Sequence, residues 1–251
     1  MGLGDALMAT GEIKEIRKNI RDAKFIVGDG TLSYWNEVFN NNPYIIDINE
    51  IAKYKKIIWI KNYEGNRPYR IYDKSRHKDF YTWNKNYKAK KGEIFFSKSE
   101  KDFSKSVIQK IRRGYQNRDW GIEKWKEVVL KLMDQYEFLH LTYGNLKPIE
   151  GCINIHGINF RNSAAILEKC DLFIGTEGGM HHAAAATSCK AIVIFGGHIS
   201  PEITGYDFHK NIYVDLPNSP CGNKNICQHC KDCMQLISIE TVVHEIKKIL
   251  K

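Results

Sequence analysis

The residues of this chain that can do chemistry fall into four short stretches. The longest runs from Asp171 to Ala186, where Leu172-Phe173-Ile174 leads into Gly175-Thr176-Glu177-Gly178-Gly179-Met180-His181-His182 and then four Ala. Adjacent glycines let the backbone approach a ligand closely, and the free N–H groups of a helix start favour an anion. His181 and His182 are expected in the first helical turn, where an imidazole can donate to a phosphate oxygen. The alternative is a plain tight turn with both histidines solvated. Phe195-Gly196-Gly197-His198 repeats the logic of a strand end followed by a glycine pair. Both loops are therefore expected at the carboxyl edge of one sheet, where open α/β sheets bind ligands. An ordinary strand exit would use the same residues.

At the N-terminus, Gly2-Leu3-Gly4-Asp5 precedes a helical pattern. A carboxylate there is either a helix cap or a general base facing a cleft. Cys221, Cys227, Cys230 and Cys233 form a C-x5-C-x2-C-x2-C cluster. Four thiolates at such spacing suit tetrahedral zinc or an iron site, with reduced structural thiols as the alternative. Cys152, Cys170 and Cys189 lie in core-like contexts and read as inert small hydrophobes.

The elements that must position these groups alternate short β-rich runs with helical patterns, the pattern of an α/β protein with parallel sheets. Helices are expected over Gly11–Asp22, Glu123–Tyr136, Ala164–Lys169, Met180–Thr187 and Ile239–Lys251. Strands are expected over Lys24–Val27, Tyr44–Ile48, Lys56–Ile60, Ser106–Ile111, Phe138–Thr142, Leu172–Ile174 and Ala191–Phe195. A polar stretch from Gly92 to Phe103 reads as a linker. It divides the chain into residues 1–103 and 104–251, two small Rossmann-like domains, the second carrying the Cys-rich segment 221–233 and a closing helix. No strand precedes the Gly2–Asp5 loop, so the N-terminal domain is expected to lack its first strand.

The chain has 251 residues, 43% of them hydrophobic, which excludes disorder throughout. No apolar run reaches the roughly 20 residues of a membrane-spanning helix, and no signal-peptide pattern opens the chain. Seven Cys in that context point to a reducing compartment, so a cytoplasmic protein is expected. The net charge of +9 asks for an anionic partner: nucleic acid, a phospholipid surface, a charged glycan or a nucleotide. The charge is concentrated. Lys53 to Lys91 holds ten Lys and three Arg against Glu64, Asp73 and Asp79, with nine aromatic residues interleaved. Aromatics suit sugar faces or bases and the cations suit phosphate or carboxylate, whereas a solvated Lys-rich surface over an aromatic core is the alternative.

With Gly2-Leu3-Gly4-Asp5 at one end and Gly175–His182 in the second half, the sequence resembles glycosyltransferase family 9, the heptosyltransferases of lipopolysaccharide and their relatives. Arg118-Asp119-Trp120-Gly121 through Trp125 is similar to the family's Lys-x-Trp-Pro segment. Ile174 to Ala186 is similar to its Asp-Ser/Thr-Gly-x-x-His loop, Phe195-Gly196-Gly197 to its Phe-Gly-Pro turn, and Cys230 to Met234 to its Cys-Met ending. The departures are Glu177 for Asp, Gly178 for Ser or Thr, and Gly121 for Pro.

The resemblance implies the GT-B architecture, with acceptor on the N-terminal domain and nucleotide sugar on the C-terminal one. It implies sugar transfer with inversion and without a metal required for catalysis. Asp5 would be the catalytic base, and Gly2 and Gly4 would flank the acceptor. Arg118, Glu177, Gly178, Gly179, His182, Gly196 and Gly197 would hold the donor diphosphate, ADP-linked by resemblance. The acceptor would be an anionic glycan such as lipopolysaccharide core, reached by peripheral contact with the inner membrane. A catalytically degenerate sugar-nucleotide or glycan-binding protein and a glycosyltransferase acting on nucleic acid are the competing readings.

Overall fold

The computed structural model describes residues 1–61, 68–70, 81–106, 119–142, 148–156, 158–223, 225 and 227–251. Its first element is helix α1 (Leu3–Arg17), which begins well before the periodic stretch at Gly11. Ala6, Leu7, Met8, Ala9, Thr10, Gly11 and Ile13 are all buried, so the first turns lack the polar face that periodicity detects. Strand β1 (Lys24–Gly28) pairs in parallel with β2 (Ile57–Lys61). The strand expected over Tyr44–Ile48 reduces to one parallel bridge between Phe25 and Ile45. The Asp47 side chain then accepts from the Asn49 amide and turns the chain into a 3-10 helix over Ile48–Lys53. Strands β3 (Tyr69–Arg70) and β4 (Thr82–Trp83) form a short antiparallel pair.

The expected linker at Gly92–Phe103 is ordered and packed. A Cβ on Gly92 would lie 2.6 Å from the Leu7 carbonyl oxygen, so this strand of chain crosses α1 backbone to backbone. The Glu93 amide donates to Thr10 Oγ1 at 2.8 Å, and Arg17 Nη1 donates to Glu93 Oε2 at 2.6 Å. Helix α2 (Lys98–Ser106) follows, opened by a reciprocal cap: the Ser97 amide donates to Glu100 Oε2 and the Glu100 amide to Ser97 Oγ. Its charged face hid it from a reading based on apolar runs. Ser106 is thus helical, and the remainder of the strand expected to Ile111 lies outside the described residues.

The second half contains α3 (Ile122–Leu132), β5 (Phe138–Thr142), β6 (Cys152–His156), α4 (Phe160–Leu167), β7 (Phe173–Thr176) and α5 (Gly179–Thr187). It continues with β8 (Ala191–Phe195), α6 (Pro201–Thr204), β9 (Lys210–Tyr213), α7 (Gln228–Leu236) and α8 (Ile239–Ile249). β5 and β6 pair in parallel, and β7, β8 and β9 form a parallel sheet in that order. Every residue of β8 is buried, as a strand covered on both faces requires. One face meets α3, α7 and α8 through Ile192, Ile194, Leu132, Met234, Val242 and Ile246. The other joins a cluster that also holds Leu7 and Ile13 of α1 and Phe25 and Val27 of β1, so the two halves share apolar packing.

Arg161 on α4 ties the halves together. Its guanidinium donates to the carbonyls of Glu37, Val38 and Phe95 and pairs with Glu100, Nε to Oε1 at 2.5 Å, while only 3% exposed. Burial pushes the Glu100 carboxyl up, but the Arg161 and Ser97 hydrogen bonds outweigh it and hold the group below the usual carboxylate range. The chain therefore has the α/β class with parallel sheets that the sequence announced.

Candidate active site

Two helix N-termini meet at one point. A Cβ on Gly4 would lie 2.8 Å from Cδ2 of His182 and 3.6 Å from the Gly179 Cα, so α1 and α5 approach there through residues without side chains. Each helix presents first-turn N–H groups and the positive end of its dipole, and the convergence favours an anion or a carboxylate. Asp5 occupies the first turn of α1, and its Oδ2 accepts from the Gly2 amide at 3.3 Å. Asp5 is therefore not the N-cap itself: Gly2 holds that position, and Asp5, the third helical residue, reaches back to cap its amide.

The β7–α5 loop supplies the second part. Gly178 precedes α5, and a Cβ there would meet nothing within 4 Å, so the backbone borders open space. A cavity of about 590 Å³ lies against this turn, lined by Gly178, Gly179 and Met180 together with Asp119, Trp125 and Thr176. That volume is within the roughly 300–1,000 Å³ typical of small-molecule sites.

Behind the loop is a buried polar cluster. Glu177, His181 and His182 are 5%, 0% and 2% exposed. One donor atom from each falls within 4.8 Å of the others, with His182 Nε2 at 3.9 Å from Glu177 Oε1. His182 Nδ1 lies 2.8 Å from the Tyr206 hydroxyl. Burial pushes the Tyr206 hydroxyl far up, so it stays protonated. Glu177 Oε1, at 3.9 Å from Nε2, is an electrostatic neighbour of the ring, while the Tyr206 hydroxyl is its hydrogen-bond partner on the Nδ1 side. His209 packs on Tyr206 at 5.4 Å between ring centroids and on His181 at 5.9 Å. Its pKa falls to about 4, chiefly through burial, aided by His182 and Lys91.

Of the residues singled out by sequence, the fold brings Gly2, Gly4, Asp5, Glu177, Gly178, Gly179 and His182 into one region. Glu177 and His182 turn inward from the cavity wall. Gly196 and Gly197 leave β8 at the same carboxyl edge as the β7–α5 loop, as expected, but both are buried, and a Cβ on Gly197 would sit 2.7 Å from Cys233 Sγ and 2.9 Å from His229 Nε2. That pair lets the β8 exit pass under the Cys-bearing segment. Arg118 lies outside the described residues, but the segment after it is placed. Trp120 donates to the Ile237 carbonyl at 3.0 Å, and Lys124 donates to the carbonyls of Met234, Gln235 and Ile237. Gly121 has φ +101°, which the ring of proline cannot adopt, so the departure from Pro at this position has a backbone reason. Tyr206 and His209 carry no signal in the sequence. Single polar residues in loops carry no spacing signal.

The thiols divide into two kinds. Burial raises Cys152 and Cys170 to about 11 and Cys189 to about 12, as inert core thiols. Cys221, Cys227 and Cys230 present their sulfurs within 4.8 Å of one another and can hold a metal ion. Cys233 instead contacts Ser219 Oγ at 3.8 Å and His229 Nε2 at 3.7 Å. No helix among the described residues is long and apolar enough to cross a membrane.

No protein-family model matches the chain. Two Campylobacter jejuni proteins named lipooligosaccharide heptosyltransferase 2 are similar along nearly the full length. The serotype O:2 protein is 22% identical over 99% of this chain and 96% of its own. The serotype O:6 protein is 22% identical over 98% and 96%. Among solved structures, a glycosyl transferase family 9 protein from Veillonella parvula superposes with a TM-score of 0.65 at 13% identity, covering 100% of this chain and 95% of the other. The Escherichia coli ADP-heptose LPS heptosyltransferase II gives 0.65 at 12% identity, covering 99% and 96%. The resemblance to glycosyltransferase family 9 carried by Gly2–Asp5 and Gly175–His182 therefore extends over almost the whole chain in sequence and in fold.

Proposed function

We propose that this chain is an inverting glycosyltransferase that moves a sugar from a nucleoside-diphosphate sugar to a hydroxyl of an anionic glycan. The observation that carries the reading is the meeting of the first turn of α1, which carries Asp5, with the first turn of α5 through Gly4, Gly179 and His182, while Gly178 and Gly179 border a cavity of about 590 Å³. Asp5 takes the proton of the acceptor hydroxyl as its oxygen attacks the anomeric carbon. The bond from that carbon to the diphosphate oxygen breaks, and the electron pair leaves with the diphosphate. The Gly178 and Gly179 amides receive the growing charge, supported from behind by His182. One displacement inverts the anomeric centre, and no metal is assigned to it.

The relatives named as lipooligosaccharide heptosyltransferases support a heptose donor and a lipooligosaccharide core acceptor. A solved heptosyltransferase of Escherichia coli with ADP supports an ADP-linked donor. The surplus of cations between Lys53 and Lys91 suits a phosphorylated or carboxylated acceptor. Residues 1–103 would then serve the acceptor and 104–251 the donor, in the cytoplasm at the inner face of the membrane. Incubation with ADP-heptose and truncated lipooligosaccharide tests the reading. Release of ADP with an acceptor product of inverted anomeric configuration is expected. Donor binding without transfer would identify a binding protein instead, and transfer to oligonucleotides would reassign the acceptor.

A further inference from the structure

We propose that Cys221, Cys227 and Cys230 form a thiolate site for a zinc or iron ion that braces the donor-side segment against Tyr81–Trp83. The three sulfurs come from a loop and from the first turn of α7. Cys227 is the N-cap of that helix and Cys230 its third residue, fully buried, while Cys221 arrives from the loop with its Sγ 3.3 Å from that of Cys230. A C-x2-C pair across a helix start, joined by a third thiol, converges on a point where helix amides favour thiolates. Soft sulfur ligands in tetrahedral sets select zinc and iron among divalent metals.

The surroundings fix Cys221 independently of any ion. Its amide donates to the Gly197 carbonyl at 2.8 Å, and the Gly222 amide donates to the His198 carbonyl at 3.1 Å. The next contacts reach across to the N-terminal half. The Tyr81 amide donates to the Gly222 carbonyl at 2.9 Å, and Trp83 Nε1 donates to the His198 carbonyl at 3.1 Å. Gly222 has φ +66°, and a Cβ there would come within 2.4 Å of the Tyr81 carbonyl oxygen, so this crossing is close. The His198 ring, 6% exposed, stands edge-on to Trp83 and borders the same loop. An ion on the three thiolates would lock the loop that makes these contacts. It sits apart from the Asp5–Gly178 region and requires nothing of the proposed transfer.

The test uses the full chain, purified under reducing, anaerobic conditions and analysed for zinc and iron by elemental mass spectrometry. A single ion per chain is expected, with Cys221→Ser and Cys230→Ser each lowering the content at least fivefold and Cys189→Ser leaving it unchanged. Should a variant fail to fold, cobalt titration of metal-stripped wild type decides: intense d–d bands of tetrahedral cobalt thiolate support the site. Removal of the ion is expected to lower the melting temperature, since a ligand bound only by the folded state stabilises it. Metal content below a tenth of an ion per chain after reconstitution, or full content in Cys221→Ser, would overturn the proposal. Loss of transferase activity with metal binding intact would bear on the proposed function alone.

Discussion

His182 lies so close beneath Gly4 that a single methyl group at position 4 would come within 2.8 Å of its ring. The ring cannot swing aside freely, because it is 2% exposed and its Nδ1 is engaged by Tyr206. Gly4→Ala should therefore separate the first turns of α1 and α5 even though alanine is the better helix former. Overpacking of this kind costs about 1–3 kcal/mol, partly offset by helix propensity of about 1 kcal/mol. Turnover is expected to fall more than stability. Equal turnover for Gly4→Ala and wild type would show that the contact does not set the site.

Tyr206 is a positioning residue for His182. Tyr206→Phe leaves Nδ1 without its hydroxyl and should cost about 1–3 kcal/mol as a buried polar group loses its partner. A structural loss alone would not change the imidazole tautomer. Nitrogen-15 NMR of the His182 ring should show a single tautomer in wild type and a mixture in the variant. A tautomer unaffected by the substitution would argue against the assignment.

Acid sensitivity should centre on His209. Its folded pKa of about 4 lies below the ordinary 6.5, so the unfolded chain binds the proton more readily between those values. The contribution is fully present above pH 6.5 and is lost as pH falls toward about 4. The groups facing it are His181, His182, Tyr206 and Lys91. Glu100 also has a depressed pKa, but its contribution disappears only below the ordinary carboxylate value of 4.5. Melting temperature followed from pH 6.5 downward should fall less steeply in His209→Gln than in wild type, and parallel curves would refute the claim.

Arg161 should be the costliest single loss outside the apolar core. Arg161→Ala strands Glu100 and three carbonyls, and breaking a buried pair from one side costs about 3–5 kcal/mol. Arg161→Lys keeps the charge but not the fork, and should recover part of the stability in denaturant titrations. Full recovery by lysine would mean that charge, not geometry, holds the halves together.

The sequence revealed what is repeated or apolar and missed what is singular or polar. Strands such as Ala191–Phe195 and the α5 loop were visible because burial and glycine spacing leave a local mark. α1 begins ahead of its periodic stretch because Ala6 to Gly11 are buried without a polar face, and the charged residues of α2 resemble a linker. Asp5 and Gly4 could be singled out by type and by resemblance. The meeting of Gly4 with His182 is a relation between residues 178 positions apart, which no local pattern records. The same holds for Tyr206 and Arg161, whose partners lie far away in the chain.

If the cations between Lys53 and Lys91 serve the acceptor, exposed members such as Lys55 and Lys85 should affect it selectively. The double substitution Lys55→Glu, Lys85→Glu should raise KM for the glycan several-fold and steepen no donor dependence, with the effect shrinking as salt rises. An unchanged acceptor KM at low salt would locate acceptor recognition elsewhere.

Asp5→Asn is the most direct measurement, because it keeps the side-chain shape and its capping oxygen while removing the base. General-base catalysis is worth about 10²–10⁴ in rate. The proposed mechanism predicts a loss of sugar transfer of that order, with calorimetric affinity for the nucleotide donor near that of wild type. Transfer by Asp5→Asn at the wild-type rate would contradict it.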